Sequence, residues 1–353
     1  MTEFWRSVPL AVGVTAASAL RREQEGWDGA TVGDSPAMAP DALVELALAV
    51  GSTSTLKLGT SVTNPVTRHV VVLAGGLATL QQASGGRVVL GIGRGDSALA
   101  HLGLAPVRVD DFERFVVGVQ ALLRGEAIDH VGVEGARPVA GLGLANSAAR
   151  TELSWLGALD VAKVPVEVAA SGPRVMEIAA RHADRVVLSL GADARRIAWA
   201  IDQMRAVPSA ADRPVALGAN VPVFVHEDRG VARRSIAGVV ATTARFSSMQ
   251  VDASGPVASS VREDLTAITR LYDMSSHGSA GSDAARALSD DTIDAFGIAG
   301  PVDYCVERLV ELAELGIGKF HILRAGPGVP RERVTESMNT LVAEVIPRVR
   351  SAA

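Results

Sequence analysis

The sequence predicts an α/β fold, a single (β/α)8 TIM barrel with insertions, and three observations lead there. Short apolar runs alternate with helix-like segments along most of the chain, the pattern of parallel strands joined by crossover helices. Several of those runs end abruptly in glycine and small polar residues, and parallel α/β folds build their ligand sites at that end of a strand. With 353 residues, 48% of them hydrophobic, the chain could form two ordinary domains or one large barrel. No second domain separates from the βα period, so residues 1–353 read as one domain.

The elements follow in order. A very short first strand is read at 3–5, then a helix over 9–25. Strand two, 29–32, ends at Gly33-Asp34-Ser35. A helix over 40–50 places Pro40 in its first turn, where a missing N–H is harmless, and Gly51 as its stop. Strands three and four, 56–62 and 87–92, flank a helix over 69–82. Asp110 and Asp111 open a helix over 110–124, where acids suit the positive helix end. Strands five to eight are read at 164–169, 185–190, within 214–225, and at 319–323, with a closing helix over 331–349. Two stretches exceed a minimal barrel. Residues 130–163, broken by glycines, are expected to form an excursion with a small hairpin. Residues 228–300 read as a mostly helical insertion whose serine–glycine run, 275–282, suits a mobile loop.

Candidate chemistry lies just past the strands. After Ala170, the residues Ser171-Gly172-Pro173-Arg174 place a cap and a helix-opening proline, so free backbone N–H groups would face an anion. A plain capped helix is the competing reading. Gly191 and Ala192 form a similar small-residue turn after the next strand. Thr63 and Asn64 offer a hydroxyl and an amide, which match the edge of a uracil-like ring. The run from Gly91 to Ser97 superficially suggests a dinucleotide fingerprint, but Asp96 stands where glycine is required. In a barrel this loop would bring Gly93, Arg94, Asp96 and Ser97 over the mouth. Asp96 could then be a solvated acid, a cofactor-positioning group or a proton donor.

Other classes are excluded by simple features. A formal net charge of -5 gives no footprint for nucleic acid. No apolar run reaches the roughly 18 residues needed to cross a bilayer, so no membrane partner is expected. One cysteine, Cys305, allows no internal disulfide, fits a cytoplasmic protein and is expected to pack in the core. The seven histidines show no metal spacing; His69 suits a helix cap and His321 a satisfied core position.

Several segments, taken in order, resemble the luciferase-like oxidoreductases. They are Gly59-Thr60, Thr63-Asn64-Pro65, Thr67-Arg68-His69, Ser84-Gly85-Gly86-Arg87 and Gly91-x-Gly93-x-Gly95-Asp96-Ser97-Ala98. The likeness is greatest to the branch that uses coenzyme F-420, a deazaflavin. That resemblance implies a ring held between Ser61, Val62, Thr63, Asn64 and the strand-four loop, with a non-proline cis peptide at Ser61-Val62. It implies phosphate contacts from Ala170 to Arg174 and at Gly191 and Ala192, and places Asp34 near the reactive ring. Ser35 follows Asp34 where many relatives carry histidine, so an Asp-His acid–base pair is in doubt. Asp34 and Asp96 are the catalytic candidates. The implied function is hydride transfer between F-420 and a small organic substrate, in a homodimer or higher homo-oligomer. An FMN-dependent monooxygenase, a non-catalytic flavin-binding relative, and an unrelated sugar-phosphate barrel are the alternatives.

Overall fold

The computed structural model describes residues 2–142, 144, 146–158, 160–208, 214–248 and 255–352. Its strands are β1 Glu3–Ser7, β2 Gly29–Val32, β3 Lys57–Thr60, β4 Val88–Ile92, β5 Val166–Ala170, β6 Arg185–Leu188, β7 Ala216–Val225, β8 Ile298–Gly300 and β9 Ile317–Leu323. Their order is β6-β5-β4-β3-β2-β1-β9-β7, and β6 also pairs with β7, so eight strands close on themselves while β8 adds to the end of β7. The predicted barrel is the fold. The chain divides into a larger compact unit, Met1–Val8, Arg21–Thr31 and Glu167–Ala353, and a smaller one, Pro9–Leu20 and Val32–Val166.

In the smaller unit, β3 and β4 run parallel with Leu58 opposite Val88 and Gly59 opposite Val89. Helix α1, Thr15–Gln24, begins later than expected because Gly13 takes a φ of +74° and Thr15 Oγ1 ties the turn before it to Ala11. Helix α2, Ala42–Ser52, likewise starts after Pro40: Asp41 is its cap, accepting from the Leu43 and Val44 N–H groups. It runs through Gly51 rather than stopping there. Helix α3, Val70–Ser84, is capped by His69 as expected, and Gly85 ends it with a φ of +66°. A single-turn α4, Ser97–Ala100, and α5, Val109–Leu123, follow. The expected hairpin within 130–163 is absent among the described residues. Two 3-10 turns, Val139–Leu142 and Leu156–Ala158, stand there, with one antiparallel bridge from Ile128 to Thr151.

The larger unit holds α6 Pro173–His182, α7 Ala194–Arg205, α8 Arg229–Ser248, α9 Ser259–Leu271, α10 Asp283–Arg286, α11 Asp290–Phe296, α12 Val302–Glu314, α13 Arg331–Thr340 and α14 Ile346–Ala352. The closing helix expected over 331–349 is divided by a π turn, Leu341–Val345, just before Pro347, which has no N–H to continue a regular ladder. Phe224, Ile236, Val240, Leu265, Ile268 and Phe296 form one buried cluster that fastens α8, α9 and α11 to β7. The serine–glycine run is tied down rather than open. Ala280 N–H donates to Pro327 O, Ser282 caps α10, and Tyr272 Oη lies 2.6 Å from His277 Nδ1. Cys305 is fully buried, and burial pushes its thiol up to about 12, so it packs as expected and is no nucleophile.

Candidate cofactor site

In the smaller unit, the site begins with the peptide bond between Ser61 and Val62, which is cis. Both residues are part-exposed, whereas Thr63 and Asn64 after them are buried. Thr63 ties the end of β3 to the end of β4: its N–H donates to Gly91 O and its carbonyl accepts from Gly93 N–H, each at 3.0 Å. Gly91 is needed there because any Cβ would overlap the Thr60 carbonyl. Asn64 Oδ1 accepts from the Val66 and Thr67 N–H groups at 3.0 and 3.1 Å. Thus the Thr63 hydroxyl and the Asn64 carbonyl oxygen are already engaged. Asn64 Nδ2, buried, has no hydrogen-bond partner among the described residues.

Asp34, after β2, is 2% exposed and sits at the centre of a polar cluster. Its Oδ2 accepts from Thr63 Oγ1 at 2.7 Å and from Arg68 Nε at 3.2 Å, while Oδ1 accepts from Arg68 Nη2 at 3.3 Å. The remaining nitrogen, Arg68 Nη1, lies 2.9 Å from Oδ2 of Asp41, the cap of α2. Burial works to lower the Arg68 pKa, but hydrogen bonds and charge from Asp34 and Asp41 outweigh it and hold it above its ordinary value. Both Asp34 oxygens act as acceptors here, so Asp34 holds Thr63 and Arg68 in this arrangement. Gly93 is buried, and Arg94, Gly95, Asp96 and Ser97 are part-exposed. Gly95 turns with a φ of +82°, Arg94 Nε donates to Val107 O at 2.6 Å, and Asp96 precedes α4 without capping it through its side chain.

In the larger unit, β5 ends at buried Ala170, and part-exposed Ser171 and Gly172 lead into α6. Gly172 is the cap residue, which has no side chain to cap the helix, and Pro173 opens it. The positive end of a ten-residue helix thus lies beside part-exposed Ser171 and Gly172, a place that suits an anion. Gly191 and Ala192 also make contacts of their own. Gly191, at a φ of +86°, leaves room for α11, since a Cβ would come 2.5 Å from Phe296 Cα. Ala192 N–H donates to Ala295 O at 2.9 Å, and its carbonyl accepts from Arg308 Nη2 at 2.6 Å. This turn is thus packed against α11 and α12.

The same unit contains a polar cluster that sequence reasoning missed. Lys319, 1% exposed, donates to both Glu167 oxygens at 2.9 and 2.8 Å and lies 3.2 Å from the Trp5 ring centre. Arg185 Nε reaches the same carboxylate at 3.1 Å. Burial pulls Lys319 down to about 8 despite the raising effect of Glu167. His321 stacks on Trp5 at 5.7 Å, and its Nε2 has no hydrogen-bond partner among the described residues, so it is buried but not satisfied. Burial, then Lys319 and Arg185, hold its pKa well below the ordinary value and keep the ring neutral. The available signal was Lys319 and His321 at alternate positions of an apolar strand, which puts both on one face.

No helix among the described residues is long and apolar enough to cross a membrane, and no group of three or more His, Cys, Asp or Glu is placed to hold a metal. Comparison with known proteins identifies the family. Over 304 residues the chain is 25% identical to a 5,10-methylenetetrahydromethanopterin reductase of Methanolobus tindarius, covering 84% of this chain and 85% of that one. An F-420-dependent glucose-6-phosphate dehydrogenase of Beutenbergia cavernae is 35% identical over 182 residues, 48% of this chain and 50% of its own length. A solved F-420-dependent secondary alcohol dehydrogenase, in complex with an F-420–acetone adduct, shares the fold with a TM-score of 0.71 over 99% of both chains at 18% identity. The family model for luciferase-like monooxygenases matches residues 10–319, nearly the whole barrel, and the chain belongs to that family.

Proposed function

We propose that this chain is an oxidoreductase that moves a hydride between coenzyme F-420 and a small organic substrate. The observation that carries the reading is the start of α6, where part-exposed Ser171 and Gly172 lead from β5 into Pro173 at the positive end of a ten-residue helix. That arrangement suits the phosphate of a flavin or deazaflavin, with Ser171, Gly172, Pro173 and Arg174 around it. Ser61 and Val62 offer part-exposed backbone for the ring, and the unpartnered Asn64 Nδ2 adds a donor suited to a ring carbonyl. These features fit the group. When bound, the deazaflavin supplies the hydride chemistry, and the protein supplies position and charge. Two of the relatives described above are named as F-420-dependent, which favours the deazaflavin over FMN. Asp34, which holds Thr63 and Arg68, and Asp96, part-exposed after β4, are the candidates for proton transfer.

Titrating the purified protein with F-420 and with FMN tests this reading. F-420 should bind at low micromolar or better and FMN more weakly. Tight FMN binding without F-420 binding would make a reduced-flavin monooxygenase the primary reading, in keeping with the description of the matched family. We also assign the chain to a cytoplasmic homo-oligomer of single-domain barrels with insertions at 130–163 and 228–300. Val44 and Leu48 on α2 and Val72 on α3 are 60%, 52% and 62% exposed, an apolar face suited to a second copy. Light scattering that shows only monomer at micromolar concentration would overturn that assignment.

A further inference from the structure

We propose that Arg68 is a positioning residue for the cofactor, setting the hydrogen-bonding state of Asp34 and of Thr63, which follows Ser61 and Val62; this rests on the proposed F-420 reading. The geometry carries the argument. One guanidinium spends all three nitrogens on two carboxylates, Asp34 at 3.2 and 3.3 Å and Asp41 at 2.9 Å. Asp34 in turn takes the only proton of the Thr63 hydroxyl, at 2.7 Å. Thr63 adjoins Val62 in sequence and is pinned through its own backbone to Gly91 and Gly93. Arg68, just before α3, therefore governs three pieces of chain at once: the end of β2, the end of β3 and the cap of α2. Only a rigid fork can do so, since an ammonium is a single point of charge.

The charged groups against Asp34 are Arg68 and, through it, Asp41. Without Arg68, a carboxylate only 2% exposed would keep one hydroxyl donor and no cation. A buried carboxylate left without its cation is strongly unfavourable, so the ends of β2 and β3 would shift to let water reach Asp34, and the Thr63 hydroxyl would lose its fixed acceptor. Removing that charge as well should recover part of the loss.

The test is F-420 affinity, read by fluorescence as the ratio of variant to unaltered protein. Arg68→Met should weaken F-420 binding at least tenfold. Arg68→Lys should fall between Arg68→Met and the unaltered protein. The double variant Arg68→Met with Asp34→Asn, which removes the unpaired charge, should recover severalfold of that loss. An Arg68→Met protein that melts lower but binds F-420 with unchanged affinity would show a structural role only and overturn the inference. If the Arg68→Met protein does not fold, Arg68→Lys and the charge-free double variant decide in the same way. No F-420 binding by the unaltered protein would instead sink the proposed function, and this inference with it.

Discussion

Arg68 and Lys319 both press a cation against buried carboxylates, yet one is a fork and the other a point charge. Arg68 divides itself between Asp34 and Asp41, and a guanidinium keeps its proton in almost any surroundings. Lys319 gives a single ammonium to both oxygens of Glu167 and covers it with the face of Trp5. Burial raises no obstacle that Arg68 does not overcome, whereas it takes Lys319 from its ordinary 10.5 down to about 8. The lesson is that equal-looking ion pairs respond to different insults. The lysine cluster answers to pH and to loss of its one carboxylate; the arginine cluster answers to loss of the fork.

The largest effect should come from breaking the lysine pair. Glu167→Gln leaves Lys319 and Arg185 facing each other with no carboxylate between them. Removing one partner of a buried pair costs about 3–5 kcal/mol, which denaturant unfolding would register. A loss below about 1 kcal/mol would mean that water reaches the cluster. The same lysine sets a pH window. Between about 8 and 10.5 the unfolded chain still holds the Lys319 proton while the folded chain has released it. Stability from this group therefore rises as pH increases through that window. Lys319→Met should remove that rise, so the stability difference between the two proteins should grow from pH 8 to 10. A difference independent of pH would show that Lys319 keeps its proton in the fold.

A contrast of another kind lies at α6, where the cap is a glycine and the positive helix end, not a side-chain cation, would meet the anion. Gly172→Val puts a branched side chain at the cap and should weaken F-420 binding tenfold or more, about 1.4 kcal/mol, in calorimetric titration. Unchanged affinity in a folded variant would remove the phosphate seat. A smaller effect is expected where Arg68 meets the surface. Asp41→Ala deletes the cap of α2 and one partner of the fork, and should cost about 1 kcal/mol in thermal unfolding. F-420 affinity should stay within about twofold, since Arg68 keeps Asp34. A larger drop in affinity would mean that the fork needs both carboxylates to stay in place.

The barrel was legible because most of its strands are short apolar runs with a visible stop, and β2 was bounded to the residue, whereas three-residue β8 was hidden inside the expected insertion. Boundaries failed where side chains compete with the backbone, as at Thr15 and Asp41, whose oxygens end the preceding turn one way and start a helix another. The hairpin expected within 130–163 failed because glycine-broken alternation is a weak strand signal without a partner to confirm it. Within the site, residue types were legible but their partners were not. Asp34, Thr63 and Arg68 were all visible as motif residues, 29 and 34 positions apart, yet nothing in spacing says that they share hydrogen bonds. Gly191 shows the limit most sharply: a glycine after a strand suggests a phosphate, but nothing in the sequence shows that it also makes room for Phe296.

The smallest expected effect separates two neighbouring arginines that look alike in sequence. Both Arg195 and Arg196 follow Asp193 and could have met the anionic tail of F-420. Arg196 is excluded because it is fully buried: it donates to Leu190 O at 2.7 Å and to Ser247 Oγ at 3.0 Å, and lies 4.8 Å from the Phe296 ring centre. Burial brings it down to about 10, so its charge is held for the fold. Arg195 has a side chain 76% exposed and is tethered to Asp193 at 3.1 Å, which already answers part of its charge. An exposed, half-answered cation should matter little and only at low salt. Arg195→Gln should therefore weaken F-420 binding by about threefold or less and flatten its salt dependence slightly. Arg196→Gln should lower the melting temperature while leaving the salt dependence of binding intact, because it strands a buried carbonyl and hydroxyl. If Arg195→Gln instead costs tenfold in affinity at physiological salt, the tail lies directly on α7, and the anion seat extends from α6 to a second helix start.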